Sequence, residues 1–332
     1  MDNIVIFSLT SSKELTKEIV NILGVEQGEI VVTHFADGEV LVEPQQSVRG
    51  KHVFIIQSTC APVNDKIMEL LICLDACRRA SCKEVTCVIP YYGYARQDRK
   101  ARARQPITAR LVADLLQAAG ADRVVSVDLH APQIQGYFKI PSDNLTAVDM
   151  IGQYFRTQNM HDVVVVSPDH GGAIRARNLS NSIPDSTIAI IDKRRIRPNF
   201  SESMNLIGDV KGKDCIIIDD LVDTGGSLLG CIKMLKENGA LDIYCAATHG
   251  VFSKNALQKI AQSGVKEFVI TNSIERTEEE LSKVPNVKVL SIALLLASSI
   301  EAIACNKPIS NVYRLFHSDE EEEMNFKNLA GL

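Results

Sequence analysis

Residues 215–230 read CIIIDDLVDTGGSLLG: an apolar run, three acids, a Thr-Gly-Gly-Ser turn and a second apolar run. A buried strand that breaks into a Gly-rich turn and opens a helix aims backbone N–H groups at whatever lies above the turn. Those donors, with the positive end of the helix dipole, favour a phosphate. Gly225 and Gly226 let the backbone approach closely, Thr224 and Ser227 add hydroxyl donors, and Ser227 is also placed to cap the helix. The acids Asp219, Asp220 and Asp223 do not suit an anion. They fall at the carboxyl end of the strand, where open α/β sheets take their ligands. Carboxylates accept hydrogen bonds from vicinal hydroxyls. A ligand with a phosphate at one end and a diol nearby satisfies both halves, and a ribose 5-phosphate group is such a ligand.

Two further stretches are basic. YYGYARQDRKARARQPIT (91–108) holds five basic residues between Arg96 and Arg104, and IDKRRIRP (191–198) follows a strand. Arg forks match phosphate oxygens. In a chain of net charge −5, two such loops point to one localised polyphosphate. VDLHAPQIQGYF (127–138) sets Asp128 and His130 two residues apart, on the same side if a strand runs through them. VSPDHGGAIRAR (166–177) puts Asp169 at another strand end, before two glycines. His130 and Asp169 form a candidate pair for a Mg²⁺ or its waters, with His170 a competitor. Mg²⁺ prefers oxygen, so the histidine is the weaker half of that pair. No GxxxxGK sequence followed by Ser or Thr occurs, so ATP would not be held as P-loop enzymes hold it.

These residues need strand ends to stand on, and the chain supplies them. Continuous Val/Ile runs (NIVIFS, HVFIIQS, EVTCVIP, RVVSVDLH, DVVVVSP, CIIIDD, DIYCAAT, KEFVIT) alternate with amphipathic stretches. Runs of that kind predict strands buried on both faces of a parallel sheet, with helices on both sides. SSKELTKEIVNILG begins with serine caps and ends at Gly24, and QPITARLVADLLQAAG has Pro106 near its first turn and Gly120 at its end. Asp37-Gly38 in HFADGEVLVEP is a hairpin signal. Leu228, Cys231, Ile232 and Leu235 recur at helical spacing before Gly239. The 51–90 and 213–248 stretches share the order strand, turn, helix, strand, with Gln57-Ser58 where the second has Asp219-Asp220. A duplicated α/β domain follows, of which only the second copy keeps the acidic, Gly-rich turn.

The totals fit that organisation. The 332 residues suit two domains, with 45% hydrophobic and 23% charged. A net acidic chain argues against a general nucleic-acid binder, and no apolar run reaches the roughly 18–20 residues of a membrane span. The start has no basic n-region or long h-region, so no signal peptide is expected. The nine cysteines are scattered and none forms a CxxC pair, which predicts reduced, buried thiols in a cytoplasmic protein. HSDEEEEMNFKNLAGL (317–332) is acidic and without amphipathic pattern, and is expected to be a disordered tail.

Taken together, FADGE, YARQDRK, DLHAPQIQGYF, VSPDHGGAIRAR, IDKRR, GDVKGKDCIIIDDLVDTGGS and ATHGVFS resemble the ribose-phosphate diphosphokinases, also called PRPP synthetases, over nearly the whole chain to about Phe316. The resemblance implies two tandem type I phosphoribosyltransferase-type domains, 1–145 and 146–303, with 304–316 returning to the first. It implies Mg²⁺-ATP as diphosphoryl donor, ribose 5-phosphate as acceptor and inorganic phosphate as an activator. It implies a homo-oligomer, a hexamer with the ATP site shared between subunits. By motif, Phe35, Asp37, Gly38, Glu39, Arg96, Gln97 and Asp98 would contact ATP, His130 and Asp169 the metal, and Lys193 and Arg195 would form the catalytic loop. Asp219, Asp220, Asp223, Thr224, Gly225, Gly226 and Ser227 would take ribose 5-phosphate. Three positions depart from the pattern: Ser227 for the usual Thr, His170 for a small apolar residue, and Lys139 for an expected acid. A phosphoribosyltransferase needs only one such domain. A non-catalytic regulatory paralogue would lack the KRR loop or the acidic pair, and both are present.

Overall fold

The computed structural model describes residues 3–194 and 203–316. Two compact units divide the chain. One comprises the described residues of Met1–Thr146, Ser273–Glu275 and Ser291–Leu332, the other Ala147–Asn272 and Arg276–Leu290.

In the first unit the order is β1 (Ile4–Ser8), α1 (Lys13–Leu23), β2 (Ile30–His34), β3 (Val40–Pro44), β4 (His52–Ile56), α2 (Val63–Arg79), β5 (Glu84–Ile89), α3 (Thr108–Ala119), β6 (Arg123–Val127) and β7 (Ser142–Leu145). The main sheet runs β1-β4-β5-β6-β7, every pair parallel. Antiparallel β2 and β3 form a separate two-stranded sheet, with Gly38 turning the hairpin as the Asp-Gly signal predicts. Central strands read as continuous apolar runs because both their faces are covered: Val53 to Ile56 and Val85, Cys87, Val88 and Ile89 are fully buried.

The second unit carries α4 (Val148–Arg156), β8 (Val164–Ser167), α5 (Ala173–Asn181), β9 (Thr187–Arg194), β10 (Ser203–Ile207), β11 (Cys215–Val222), α6 (Gly226–Glu237), β12 (Ile243–Gly250), α7 (Ala256–Ala261), β13 (Glu267–Thr271), α8 (Glu278–Ser282) and β14 (Val287–Leu290). Its sheet runs β10-β9-β8-β11-β12-β13-β14, antiparallel only at β9–β10. Laid over the first unit, β8, β11, β12, β13 and β14 take the places of β1, β4, β5, β6 and β7, and the β9–β10 hairpin takes that of β2–β3. The duplication read from 51–90 and 213–248 therefore extends to whole sheets. The copies differ at the hairpin, which is detached in the first unit and continuous with the sheet in the second.

The last two helices, α9 (Ala293–Ala304) and α10 (Ser310–Arg314), group with the first unit. The division expected at 303 falls inside α9, and the return to the first unit starts at Ser291, whose hydroxyl donates to Glu18 on α1. Helix ends follow the glycines: Gly24 and Gly120 both take the left-handed conformation after α1 and α3. The serine cap differs from expectation. Ser12 occupies the N-cap of α1, but its hydroxyl accepts from the Ser58 N–H (3.0 Å) and caps nothing. All nine cysteines are free, and only Cys305 is exposed outright. Among the described residues no helix is long and apolar enough to cross a membrane.

Candidate active site

The second unit's candidate site is built where β11 leaves the sheet. Cys215 to Ile218 are completely buried, locking the strand between β8 and β12, and the chain emerges at Asp219. The two acids point to opposite sides, as strand alternation requires, so Asp220 is buried while Asp219 is partly exposed. Arg175, from the first turn of α5, reaches both: its Nη1 lies 3.2 Å from Asp219 Oδ1 and its Nη2 3.3 Å from Asp220 Oδ1. Asp219 Oδ1 also accepts the Asp220 N–H at 2.9 Å. Burial, then the neighbouring Asp220 carboxylate, push the Asp219 pKa up to about 8, against the pull of Arg175.

Beyond Val222 the chain turns into α6. Gly225 is its N-cap, with φ +76°, a conformation that costs L-residues. A Cβ there would stand 3.0 Å from Ile260 Cδ1, so the turn is seated directly on α7. Gly226, by contrast, faces open space. Thr224, Gly226 and Ser227 are exposed, and the first N–H groups of the helix have no partner within it. No side chain caps this end, so the expected Ser227 cap is not made. Ser227 lies inside the first turn rather than before it, and a cap must precede the turn it closes. The apolar stripe is as read: Leu228, Cys231, Ile232 and Leu235 are the buried face.

Asp169 and His170 follow β8, both exposed. Asp169 Oδ1 accepts the Gly172 N–H at 2.9 Å, an arrangement that closes the turn into α5. His170 Nε2 lies 3.0 Å from Asp192 Oδ1 on β9. Lys193 follows Asp192 on β9, paired in register with Met204. Arg195 lies outside the described residues, as does the acidic stretch 317–332.

In the first unit, the hairpin tip sets Phe35, Asp37, Gly38 and Glu39 in solvent, Phe35 at 50% exposure. The tip is self-braced: Phe35 N–H donates to the Glu39 carbonyl (2.8 Å) and Glu39 N–H to Asp37 Oδ1 (3.1 Å). In the basic loop Arg96 and Gln97 are exposed, and Gln97 Oε1 accepts from Thr108. Asp98 is turned inward. Its carboxylate accepts from Gln133 Nε2 (2.8 Å) and its carbonyl from the Tyr137 hydroxyl, so it ties the loop to the 132–137 turn. His130 is exposed, but not on a strand: β6 stops at Val127, and Asp128 takes φ +39°. The expectation that Asp128 and His130 share a strand face is corrected, because the chain turns away before either. Lys139 is also exposed.

At the β4 end, where the second unit has its acids, the first unit has a closed polar cluster. Glu69 on α2 is wholly buried and accepts from Thr10 Oγ1 (2.5 Å), Gln57 Nε2 (2.8 Å) and Lys66 Nζ (2.9 Å). Gln57 Oε1 in turn accepts the Ser11 N–H (3.1 Å) and hydroxyl (2.7 Å). Burial works to raise the Glu69 pKa, but the bonds from Thr10 and Lys66 outweigh it and leave the carboxyl below its ordinary value.

Residues 4–120 match the N-terminal domain of ribose phosphate pyrophosphokinase, and residues 169–314 match the phosphoribosyl synthetase-associated domain. A ribose-phosphate pyrophosphokinase of Bacillus subtilis (strain 168) is 52% identical over 311 residues, covering 94% of this chain and 97% of that protein. The chain belongs to the ribose-phosphate pyrophosphokinase family. Ribose-phosphate pyrophosphokinase 1 of Lactococcus lactis is 50% identical, covering 96% of this chain and 98% of the relative. The crystal structure of phosphoribosylpyrophosphate synthetase from Mycobacterium smegmatis superposes with a TM-score of 0.87 at 44% identity, over 92% of this chain and 99% of that one. Within the ribose-phosphate pyrophosphokinase matches fall the hairpin tip, Arg96 to Asp98, Asp169, Lys193 and the 219–227 turn, while His130 falls between the two segments.

Arg175 at the β11 end, and the Lys66–Glu69 pair in the closed cluster of the first unit, are the charged groups that the motifs did not single out. Arg175 stands inside VSPDHGGAIRAR, three residues after Gly172, and a cation there is the counter-charge that a pair of strand-end acids calls for.

Proposed function

We propose that this chain transfers the diphosphoryl group of ATP to the C1 hydroxyl of ribose 5-phosphate, giving 5-phosphoribosyl 1-diphosphate and AMP. The carrying observation is the end of β11, where two acids, a left-handed glycine and a helix N-terminus stand side by side. The helix N–H groups and Thr224 suit the 5-phosphate, and the carboxylates of Asp219, Asp220 and Asp223 suit the ribose hydroxyls. Such a ring would be held at both ends, which fixes the C1 hydroxyl for in-line attack. A bond forms between that oxygen and the β-phosphorus, the bridge to the α-phosphate breaks, and the hydroxyl proton leaves to solvent. Phosphoryl transfer of this type needs positioning and neutralised charge more than covalent help.

In this reading Arg96 and Gln97 hold the triphosphate, Phe35 gives the adenine a face to stack on, and Asp37 and Glu39 bond its edge. Asp98 holds the loop rather than the nucleotide. Lys193, with Arg195, neutralises charge as it develops on the transferring group. Among the described residues no group of three or more His, Cys, Asp or Glu is arranged to hold a metal. The exposed Asp169 carboxylate suits Mg²⁺, which takes one or two carboxylates and completes its shell with waters and substrate phosphates. Asp169 and His130 are the residues proposed to hold it. When bound, Mg²⁺ would withdraw charge from the phosphate oxygens. The exposed Phe35, beside Asp37 and Glu39 at the hairpin tip, supports an ATP site completed by a second copy; a hexameric assembly, inorganic phosphate as activator and the cytoplasm as compartment belong to the same reading.

The test is ³¹P NMR of the purified protein with ribose 5-phosphate, ATP and Mg²⁺. AMP appearing with a new sugar diphosphate is the expected result. ADP in place of AMP would mean an ordinary kinase and end this mechanism. Absence of turnover with inorganic phosphate supplied would favour the regulatory paralogue.

A further inference from the structure

We propose that Arg175 is a positioning residue for the ribose-binding carboxylates, its guanidinium holding Asp219 and Asp220 in the arrangement that receives the sugar hydroxyls. This rests on the reading of the β11 end as the ribose 5-phosphate site. The geometry is a fork on two acids: Nη1 to Asp219 Oδ1 at 3.2 Å and Nη2 to Asp220 Oδ1 at 3.3 Å. Two adjacent carboxylates at a mostly buried strand end repel one another, and burial adds to the cost of keeping both ionised. One delocalised cation shared between them offsets part of both penalties, and it is the pull that works against burial and the Asp220 charge at Asp219. It also sets direction. Asp219 Oδ1 is committed to Arg175 and to the Asp220 N–H at 2.9 Å, which fixes the carboxylate plane and with it the direction of Oδ2.

Arg175 is itself held. It is half-buried in the first turn of α5, next to the completely buried Ala176, and Leu179 one turn on is buried too. The helix is anchored by those two residues, so the guanidinium approaches from a fixed base. A lysine would carry the charge but not the two parallel donors. Arg175 contacts the two acids, and the proposal gives it no contact with the reacting atoms. Its loss should therefore fall on ribose 5-phosphate and spare ATP.

The experiment uses the full chain with Arg175→Gln, Arg175→Lys, Asp220→Asn and the Arg175→Gln/Asp220→Asn double variant. Steady-state constants for both substrates are measured, with calorimetric binding of ribose 5-phosphate in the absence of ATP. Arg175→Gln is expected to raise KM and Kd for ribose 5-phosphate about tenfold or more, the scale of one charged hydrogen bond, with the ATP KM within about twofold. Arg175→Lys should recover part of that loss. The double variant should lose less than the product of the single effects, because the arginine acts through the acid. If Asp220→Asn weakens ribose 5-phosphate while Arg175→Gln does not, the inference is overturned and the site reading stands. If neither does, the site reading itself fails. Should Arg175→Gln not fold, Arg175→Lys decides: a rise confined to ribose 5-phosphate supports the role, and no rise or an equal rise for both substrates refutes it.

Discussion

Gly225 and Gly226 are neighbours in the sequence and opposites in the structure, which makes alanine at each a paired experiment. At Gly225 the φ of +76° is left-handed, which costs an L-residue about 1–2 kcal/mol. The added methyl would also stand 3.0 Å from Ile260 Cδ1 and 3.3 Å from Ile260 Cγ1, tight enough that Ile260, a fully buried residue, must shift. Overpacking of that kind costs about 1–3 kcal/mol. Gly225→Ala should therefore lose about 2–5 kcal/mol in all, given both costs. At Gly226 the methyl meets nothing within 4 Å, and the position begins a helix. There alanine should leave stability unchanged or raise it by about 0.5–1 kcal/mol. Yet the same methyl would project over the turn, in the space assigned to the 5-phosphate. Urea unfolding and the ribose 5-phosphate KM separate the two effects. Gly225→Ala should unfold at lower urea. Gly226→Ala should unfold no earlier than the parent and show a ribose 5-phosphate KM about tenfold higher or more, as a crowded close contact implies. Equal unfolding midpoints for Gly225→Ala and the parent would refute the strain argument, and a normal KM in Gly226→Ala would refute the placement of the phosphate.

Three more predictions follow from other parts of the molecule. Lys193→Ala should reduce kcat about 10³-fold, the scale of losing one preorganised charge-stabilising group, while calorimetry still detects ribose 5-phosphate; near-normal turnover would remove Lys193 from the mechanism. Asp219 holds its proton to about pH 8 in the folded protein, against an ordinary value of 3.8, so the unfolded chain releases that proton first and stability falls as pH rises between those values. Asp219→Asn should consequently gain stability relative to the parent at pH 8 and not at pH 4, by paired thermal melts. Glu69 has the opposite sign: its folded pKa is depressed below 4.5, so its contribution is present above that value and is lost as pH falls through the folded pKa. Glu69→Gln should flatten the acid limb of the stability curve below pH 4.5, and an unchanged acid limb would contradict the cluster described here.

The parts of this architecture that were legible were those written in local repetition. The α6 stripe, the left-handed glycines after α1 and α3, the Asp-Gly hairpin and the continuous apolar strands each follow from neighbours within a few residues. The duplication was legible too, because order is conserved in a linear string even where residues are not. Side-chain partnerships were not. Arg175 meets Asp219 across 44 residues and Gln57 reaches Glu69 only through the fold, so no periodicity announces either. Ser12 illustrates a competition lost: it stands at the N-cap, as its position before α1 implies, but a buried backbone N–H at Ser58 claims the hydroxyl. The Asp128–His130 pair failed for a related reason, since an apolar run marks where a strand is buried and says little about the residue at which it turns.

The closed cluster in the first unit limits what can be built on that half of the fold. The first copy does more than lack the Gly-Gly turn of the second. Thr10, Gln57, Lys66 and Glu69 now satisfy one another where a ligand would enter, and each depends on the rest because a buried carboxylate without partners is costly. Grafting Asp-Thr-Gly-Gly-Ser back onto residues 61–65 would leave that knot intact beneath the new loop. Opening a pocket there would require removing the buried Glu69 and its partner Lys66 together, since removing either alone leaves the other's charge unpaired. The two halves are in this sense not interchangeable: a turn moved from one to the other would not carry its pocket with it.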